Sequence, residues 1–138
     1  MLGPLDHVGY LVRDLDAAVA AWAERFALEV VRPVELPQYS ILGKYLGQGS
    51  GSVEMFTITD EQLLAERLGE QRIVLDHAAY EVADIDAVAA AMHERGVRFC
   101  GPDRREEVSE PILLGGGVRH LWTVPHTSFG QSLQLLQR

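Results

Sequence analysis

Residues 5–29 read LDHVGYLVRDLDAAVAAWAERFALE, and residues 75–99 read LDHAAYEVADIDAVAAAMHERGVRF. Aligned at an offset of 70, the two stretches are identical at twelve of 25 positions. Chance would give roughly one or two identities in a window of this length. We therefore interpret the chain as an internal duplication, in which each copy is one structural module.

Each copy begins with the residue alternation of a half-buried strand and then changes to the spacing of a helix. Asp14 and Asp84 stand at matching positions where a helix N-cap is expected, and Gly96 is placed to end the second helix. The first helix carries an apolar stripe at spacings of four, three and four, formed by Leu15, Val19, Trp22 and Phe26. We interpret this stripe as core packing.

Three further strand candidates follow each helix. They lie at about 27–34, 39–47 and 51–58 in the first copy, and at about 97–100, 118–124 and 131–137 in the second. Residues 60–70 resemble a short linking helix, whereas 101–117 are rich in Gly, Pro and charge and predict a long mobile loop. Each copy is therefore predicted to be a βαβββ module.

A half-chain of this size is too small to be stable alone, so we expect the two modules to share a core. The predicted fold class is α+β, with two tandem βαβββ modules whose mixed sheets form one cup-shaped, pseudo-twofold domain. That single domain would cover residues 1–138. Module one is expected at about 1–59, the linker helix at about 60–72 and module two at about 73–138.

Composition excludes several classes of protein. The net charge is -8 and there is no cluster of basic residues, which argues against nucleic acid as a partner. No apolar run approaches the length of a membrane span, and the N-terminus lacks the basic and apolar regions of a secretory signal. The one cysteine, Cys100, rules out an internal disulfide and a CxxC site. We expect a cytoplasmic protein that handles a small molecule and does not bind membranes.

Four polar positions are candidates for a metal site. His7 and His77 are equivalent in the duplication, and both lie on the strand face opposite the residues expected to meet the helix. GSVEMF at 51–56 and QSLQLL at 131–136 align at an offset of 80, which matches Glu54 with Gln134. Both are strongly polar residues inside an apolar alternation. A buried carboxylate needs a cation or several hydrogen bonds, so this pattern favours a site over an exposed sheet face.

Two imidazoles, one carboxylate and one amide oxygen form a mixed nitrogen and oxygen donor set. Such a set suits one divalent ion of Zn, Ni, Co, Fe or Mn, and the sequence does not choose among them. With only one negative ligand, the bound ion would keep more positive charge than a site with two carboxylates leaves it.

The chain resembles the vicinal oxygen chelate superfamily, which includes glyoxalases, bleomycin resistance proteins and dioxygenases. The opening LDHVGYLVRDLDAAV is similar to its first strand and helix. LLAERLGEQRIVLDHAAYEVADIDAV and the ending VPHTSFGQSLQLL are closest in pattern to methylmalonyl-CoA epimerases. The resemblance implies an enzyme that is often a homodimer, with metal ligands at His7, Glu54, His77 and Gln134. Family members usually have a carboxylate where this chain has Gln134.

The resemblance and the donor set together predict a metal-dependent epimerase or isomerase that acts through an enolate on an acyl thioester or related carbonyl compound. Glu54 is the leading catalytic base, with His126 and His120 as weaker candidates. An amide such as Gln134 cannot accept a proton at physiological pH. One alternative is a glyoxalase I-like lyase acting on a thiol adduct of a 2-oxoaldehyde. The other is a non-catalytic small-molecule or drug-binding protein, in which Trp122 would line the cleft.

Overall fold

The structure is a computed structural model that describes the backbone of residues 1–138 and every side chain except that of Ser50. The chain forms ten strands and three α-helices, and each half has the order strand, helix, then further strands. The α+β class and the two βαβββ modules are therefore confirmed. The chain divides into two compact units, His7–Asp76 and a second unit made of Met1–Asp6 with His77–Arg138.

The first unit holds the linking helix and the first module, apart from Leu5 and Asp6 at the start of its first strand. Its strands and helices are β1 (Leu5–Val12), α1 (Leu15–Arg25), β2 (Val30–Leu36), β3 (Ile41–Leu46), β4 (Ser52–Ile58) and α2 (Glu61–Leu68). The sheet order is β2-β3-β4-β1, in which β1 and β4 are parallel and the other neighbours are antiparallel.

The second unit holds the second module from His77 onward, because residues 73–76, at the start of that module's first strand, belong to the first unit. Its strands and helix are β5 (Ile73–Glu81), α3 (Ile85–His93), β6 (Phe99–Cys100), β7 (Glu107–Val108), β8 (Ile112–Leu114), β9 (Val118–Thr123) and β10 (Ser132–Gln137). Here β5 and β10 are parallel, the order continues through β9, β6 and β7, and β8 pairs with β9. None of the described helices is long and apolar enough to span a membrane.

The helix boundaries follow the predicted capping residues. The carboxylate of Asp14 accepts a hydrogen bond from the Ala17 amide, and that of Asp84 accepts one from Ala87, each at 3.0 Å. Beyond α3, Gly96 has a φ of 89°, and the Val97 amide bonds back to the Met92 carbonyl at 3.1 Å. This is the left-handed ending that glycine favours, and it explains why the chain leaves the helix here.

Two predictions of the sequence differ from the structure. Residues 101–117 were expected to be a loop without strands, but β7 and β8 form within them and pair with β6 and β9. Both strands are only two or three residues long, so the surrounding Pro and Gly hid them. The strand expected from residue 27 begins at Val30, because Ala27 has a φ of 53°, which extended backbone does not allow.

Apolar packing divides between the two faces of the first sheet. Met55 lies beneath α1 with Val19, and Trp22 packs against Tyr10 with ring centroids 5.1 Å apart. On the other face, α2 covers a cluster made of Leu11, Ile41, Phe56, Ile58, Leu64 and Leu68. The predicted role of the α1 stripe in the core is confirmed for Leu15, Val19 and Trp22, whereas Phe26 is exposed.

Gly43 lies in β3 where no side chain fits. A Cβ at this position would stand 2.6 Å from the Met55 carbonyl oxygen and 2.9 Å from the Phe56 Cβ. We expect Gly43→Ala to lower the free energy of unfolding by about 1–3 kcal/mol, because the obstacle is backbone of the paired strand. Gly115→Ala, where a Cβ meets nothing within 4 Å, is the matched control. Denaturant unfolding measures both, and equal stabilities would contradict the prediction.

Candidate metal and proton-transfer site

In the first unit, His7 and Glu54 come from neighbouring parallel strands. The register pairs His7 with Ser52 and Gly9 with Glu54, so all four residues face the same side of the sheet. The opposite side carries Val53 and Met55, which pack near α1. On β1 and β4, strand alternation therefore places His7 and Glu54 on one face of the sheet, whereas Val53 and Met55 lie on the face toward α1.

His7 and Glu54 are in direct contact. The His7 Nε2 lies 3.1 Å from the Glu54 Oε2. His7 is 1% exposed and Glu54 is 8% exposed, so a carboxylate and an imidazole are both withdrawn from water. A buried carboxylate is stable only when positive charge or hydrogen bonds compensate for lost hydration. The pair can therefore serve as a cation site or as a proton-transfer pair.

Tyr45, which was not among the predicted site residues, completes this group. Its hydroxyl lies 3.4 Å from the Glu54 Oε2 and 3.5 Å from the His7 Nε2, and its ring meets the His7 ring edge-on. The Arg32 guanidinium stands over the Tyr45 ring, 3.9 Å from its centroid. Tyr45 is opposite Glu54 in the β3–β4 register, which is what brings it here.

In the second unit, His77 and Gln134 occupy the corresponding strands. His77 pairs with Ser132 and Ala79 pairs with Gln134, so these residues also share one face. His77 and Gln134 are each 3% exposed. The Gln134 Nε2 lies 2.9 Å from the His120 Nδ1, whereas its Oε1 is buried and has no hydrogen-bond partner among the described residues.

The registers reproduce the two equivalences read from the sequence. His7 faces Ser52 as His77 faces Ser132, and Gly9 faces Glu54 as Ala79 faces Gln134. The offsets of 70 and 80 therefore correspond to equivalent structural positions.

The same logic extends to the next strand of each module. Tyr45 is opposite Glu54 as Trp122 is opposite Gln134. Two residues further along β4 and β10, Phe56 faces Gly43 and Leu136 faces His120. The second module therefore has a histidine where the first has a glycine.

The donor atoms suit a divalent metal ion. The first unit offers the buried donors His7 and Glu54, and the second unit offers the buried donors His77 and Gln134. The unpartnered Oε1 of Gln134 is a second indication, since a buried carbonyl oxygen without a partner costs free energy that a cation would recover. Imidazole nitrogens with carboxylate and amide oxygens match first-row divalent ions, so the residues fit the expected group.

The remaining candidates lie elsewhere or have other contacts. His126 is exposed in a 3₁₀ turn after β9. Trp122 is buried, stacks on His120 at 5.6 Å and lies beneath the Arg104 guanidinium. Arg119 bonds Asp86 at 2.7 and 2.8 Å, which holds the pKa of Asp86 below its usual value and raises the pKa of Arg119. Arg119 therefore has a structural partner on α3.

Fold and site define a class of protein. Residues 6–111 match the model of the glyoxalase/bleomycin resistance protein/dioxygenase superfamily. The match covers more than half of the chain, and the chain belongs to this superfamily.

Particular relatives are epimerases. The chain is 28% identical, over 139 residues and 99% of both sequences, to an ethylmalonyl-CoA/methylmalonyl-CoA epimerase of Cereibacter sphaeroides. A methylmalonyl-CoA epimerase from Mycobacterium tuberculosis has a similar structure, with a TM-score of 0.83, 21% identity, and coverage of 99% of this chain and 88% of that one. A methylmalonyl-CoA epimerase in complex with methylmalonyl-CoA and NH4+ has a TM-score of 0.84, 24% identity and coverage of 99% and 95%. These likenesses show that the fold is that of the epimerases.

Proposed function

We propose that the chain is a metal-dependent epimerase or isomerase that moves a proton beside the carbonyl group of an acyl thioester. The observation that carries the proposal is the buried Glu54 carboxylate in contact with His7 at 3.1 Å. The family and the named relatives support the reaction class. Methylmalonyl-CoA and ethylmalonyl-CoA are the first substrates to test.

In this proposal the four ligands are His7, Glu54, His77 and Gln134. When bound, a divalent ion would supply a Lewis acid that polarises a carbonyl oxygen and lowers the cost of removing the neighbouring proton. The buried donor atoms and the unpartnered amide oxygen support this assignment. Which of Zn, Ni, Co, Fe and Mn the protein selects is decided by metal analysis of the purified protein.

Glu54 is the proposed base. It is a carboxylate in the site, and a carboxylate can take up and return a proton. Gln134 has no proton affinity in the useful range. Tyr45 donates to the same carboxylate oxygen that contacts His7, so it can hold Glu54 in one orientation. His126 is exposed, which makes it a weaker candidate than Glu54.

Deuterium exchange from solvent tests the proposal. The purified protein, loaded in turn with each candidate metal, is incubated in D2O with methylmalonyl-CoA, ethylmalonyl-CoA and a panel of other acyl-CoA thioesters. We expect deuterium at the carbon beside the thioester carbonyl and loss of optical purity in at least one of them. If the metal-loaded protein exchanges no thioester proton, the epimerase assignment is wrong.

The two other functions give different results in the same assay. A glyoxalase I-like lyase would leave the thioesters unchanged and convert the thiol adduct of a 2-oxoaldehyde to a 2-hydroxyacyl thioester. A binding protein would take up a ligand with no turnover and no need for metal. The homodimer and the cytoplasmic location stay proposals, and the first is measured by sedimentation.

A further inference from the structure

Gln134 is an amide at a position where orientation decides whether it can bind a metal. Its oxygen can donate electrons to a cation, whereas its NH2 group cannot. A carboxylate has two equivalent oxygens and does not face this choice. Whichever group bonds the amide on its other side therefore determines whether the residue is a ligand.

We propose that His120 is a positioning residue that holds the Gln134 amide with its nitrogen toward the imidazole, which leaves the oxygen available to the metal. This inference rests on the metal site of the proposed function. The contact is short, 2.9 Å between the Gln134 Nε2 and the His120 Nδ1. It joins the nitrogen of the amide, and the Oε1 has no hydrogen-bond partner among the described residues.

The contact specifies the tautomer of His120. Because the amide nitrogen donates, the Nδ1 must accept, so the ring proton is on Nε2. A proton on Nδ1 would instead attract the amide oxygen and turn the NH2 group toward the metal. The tautomer of His120 therefore determines which atom of the Gln134 amide faces the metal.

The surrounding structure fixes the position of the imidazole. His120 pairs with Leu136 on β10 and with Ile112 on β8, so its backbone lies between two strands. Its ring stacks on Trp122 with an interplanar angle of 13° and centroids 5.6 Å apart. A ring held in this way can orient a neighbour at little further entropic cost.

The comparison of the modules supports the inference. The position of His120 in the second module is Gly43 in the first, and a Cβ at Gly43 would clash with the Met55 carbonyl oxygen. The module with the amide Gln134 thus has a histidine at this position, whereas the module with the carboxylate Glu54 has a glycine there. This is the distribution expected if only the amide needs orienting.

The test measures metal affinity by competition with a coloured chelator, not activity. His120→Ala is expected to weaken affinity for the bound metal by about 10–100-fold, the usual effect of losing a group that orients a ligand. In a Gln134→Glu background the same change should have little effect, because either carboxylate oxygen can bind. Equal losses in both backgrounds would show a merely structural role and overturn the proposal.

Two further variants check the chemistry. His120→Gln provides an acceptor oxygen near the same place and should restore most of the affinity. A folded His120→Gln protein that binds metal as weakly as His120→Ala would contradict the orienting role. His93→Ala changes an exposed histidine on α3 and should leave affinity unchanged. A loss with His93→Ala as large as with His120→Ala would contradict the assignment.

A measurement without metal separates this inference from the proposed function. In protein labelled with ¹⁵N-histidine, the His120 resonances should show a protonated Nε2 and an unprotonated Nδ1. A proton on Nδ1 would overturn the inference even if the epimerase reaction were established. Conversely, the protein could show the expected tautomer and yet exchange no thioester proton. That result would support the positioning contact and contradict the proposed reaction.

Discussion

Glu54→Gln is expected to abolish proton exchange while the fold is retained. The amide has nearly the shape of the carboxylate and keeps an oxygen for the Tyr45 hydroxyl, but it cannot accept a proton. Loss of a general base typically lowers the rate by about 10²–10⁴-fold. Stopped assays of deuterium incorporation, with metal content measured in parallel, give the rate per bound metal.

The control for this change is Glu35→Gln, which alters the same functional group on an exposed position of β2. It should exchange protons at the wild-type rate. If Glu54→Gln binds metal and retains full activity, Glu54 is not the base and another group must be sought. If it loses metal as well as activity, its ligand role accounts for part of the loss.

His7→Ala is expected to impair both metal binding and stability. It removes one proposed ligand, so affinity for the divalent ion should fall by more than the roughly 10–100-fold effect of an orienting residue. It also removes the group 3.1 Å from the buried Glu54 carboxylate. A buried polar group that loses a partner costs about 1–3 kcal/mol, so the metal-free protein should unfold at lower denaturant concentration.

His93→Ala is the matched control, because this histidine is exposed on α3. It should change neither quantity. A His7→Ala variant that binds the metal as tightly as wild type would remove His7 from the ligand set. Unchanged stability without metal would mean that Glu54 is satisfied by its other contacts, such as Tyr45.

The duplication predicted much of the fold and the main positions of the site. Strand alternation placed His7 and His77 on one face of their strands, and the 80-residue offset matched Glu54 with Gln134. The β1–β4 and β5–β10 registers confirm both equivalences. These predictions succeeded because alternation and repetition are local properties of the sequence, which a chain can show without its partners.

The side-chain contacts around those positions could not be predicted from the sequence. Tyr45 reaches Glu54 only because β3 pairs antiparallel with β4 in one particular register. His120 was predicted to be a weaker candidate base, whereas its Nδ1 lies 2.9 Å from the Gln134 Nε2. A sequence-level signal did exist, since Tyr45 and Trp122 are aromatic residues nine and twelve positions before Glu54 and Gln134. Unequal turn lengths hide that equivalence until the strands are paired.

The N-terminal residues belong to the unit that is synthesised last. Gly3 and Pro4 bond the backbone of Glu81 at 3.0 Å, and Asp6 bonds Arg138 at 2.7 Å. During translation the chain from His7 to Asp76 can complete its own contacts, because domains generally fold as units from the N-terminus. Residues 1–6 can therefore complete these contacts only after Glu81 and Arg138 have been synthesised, so this part of the fold forms late.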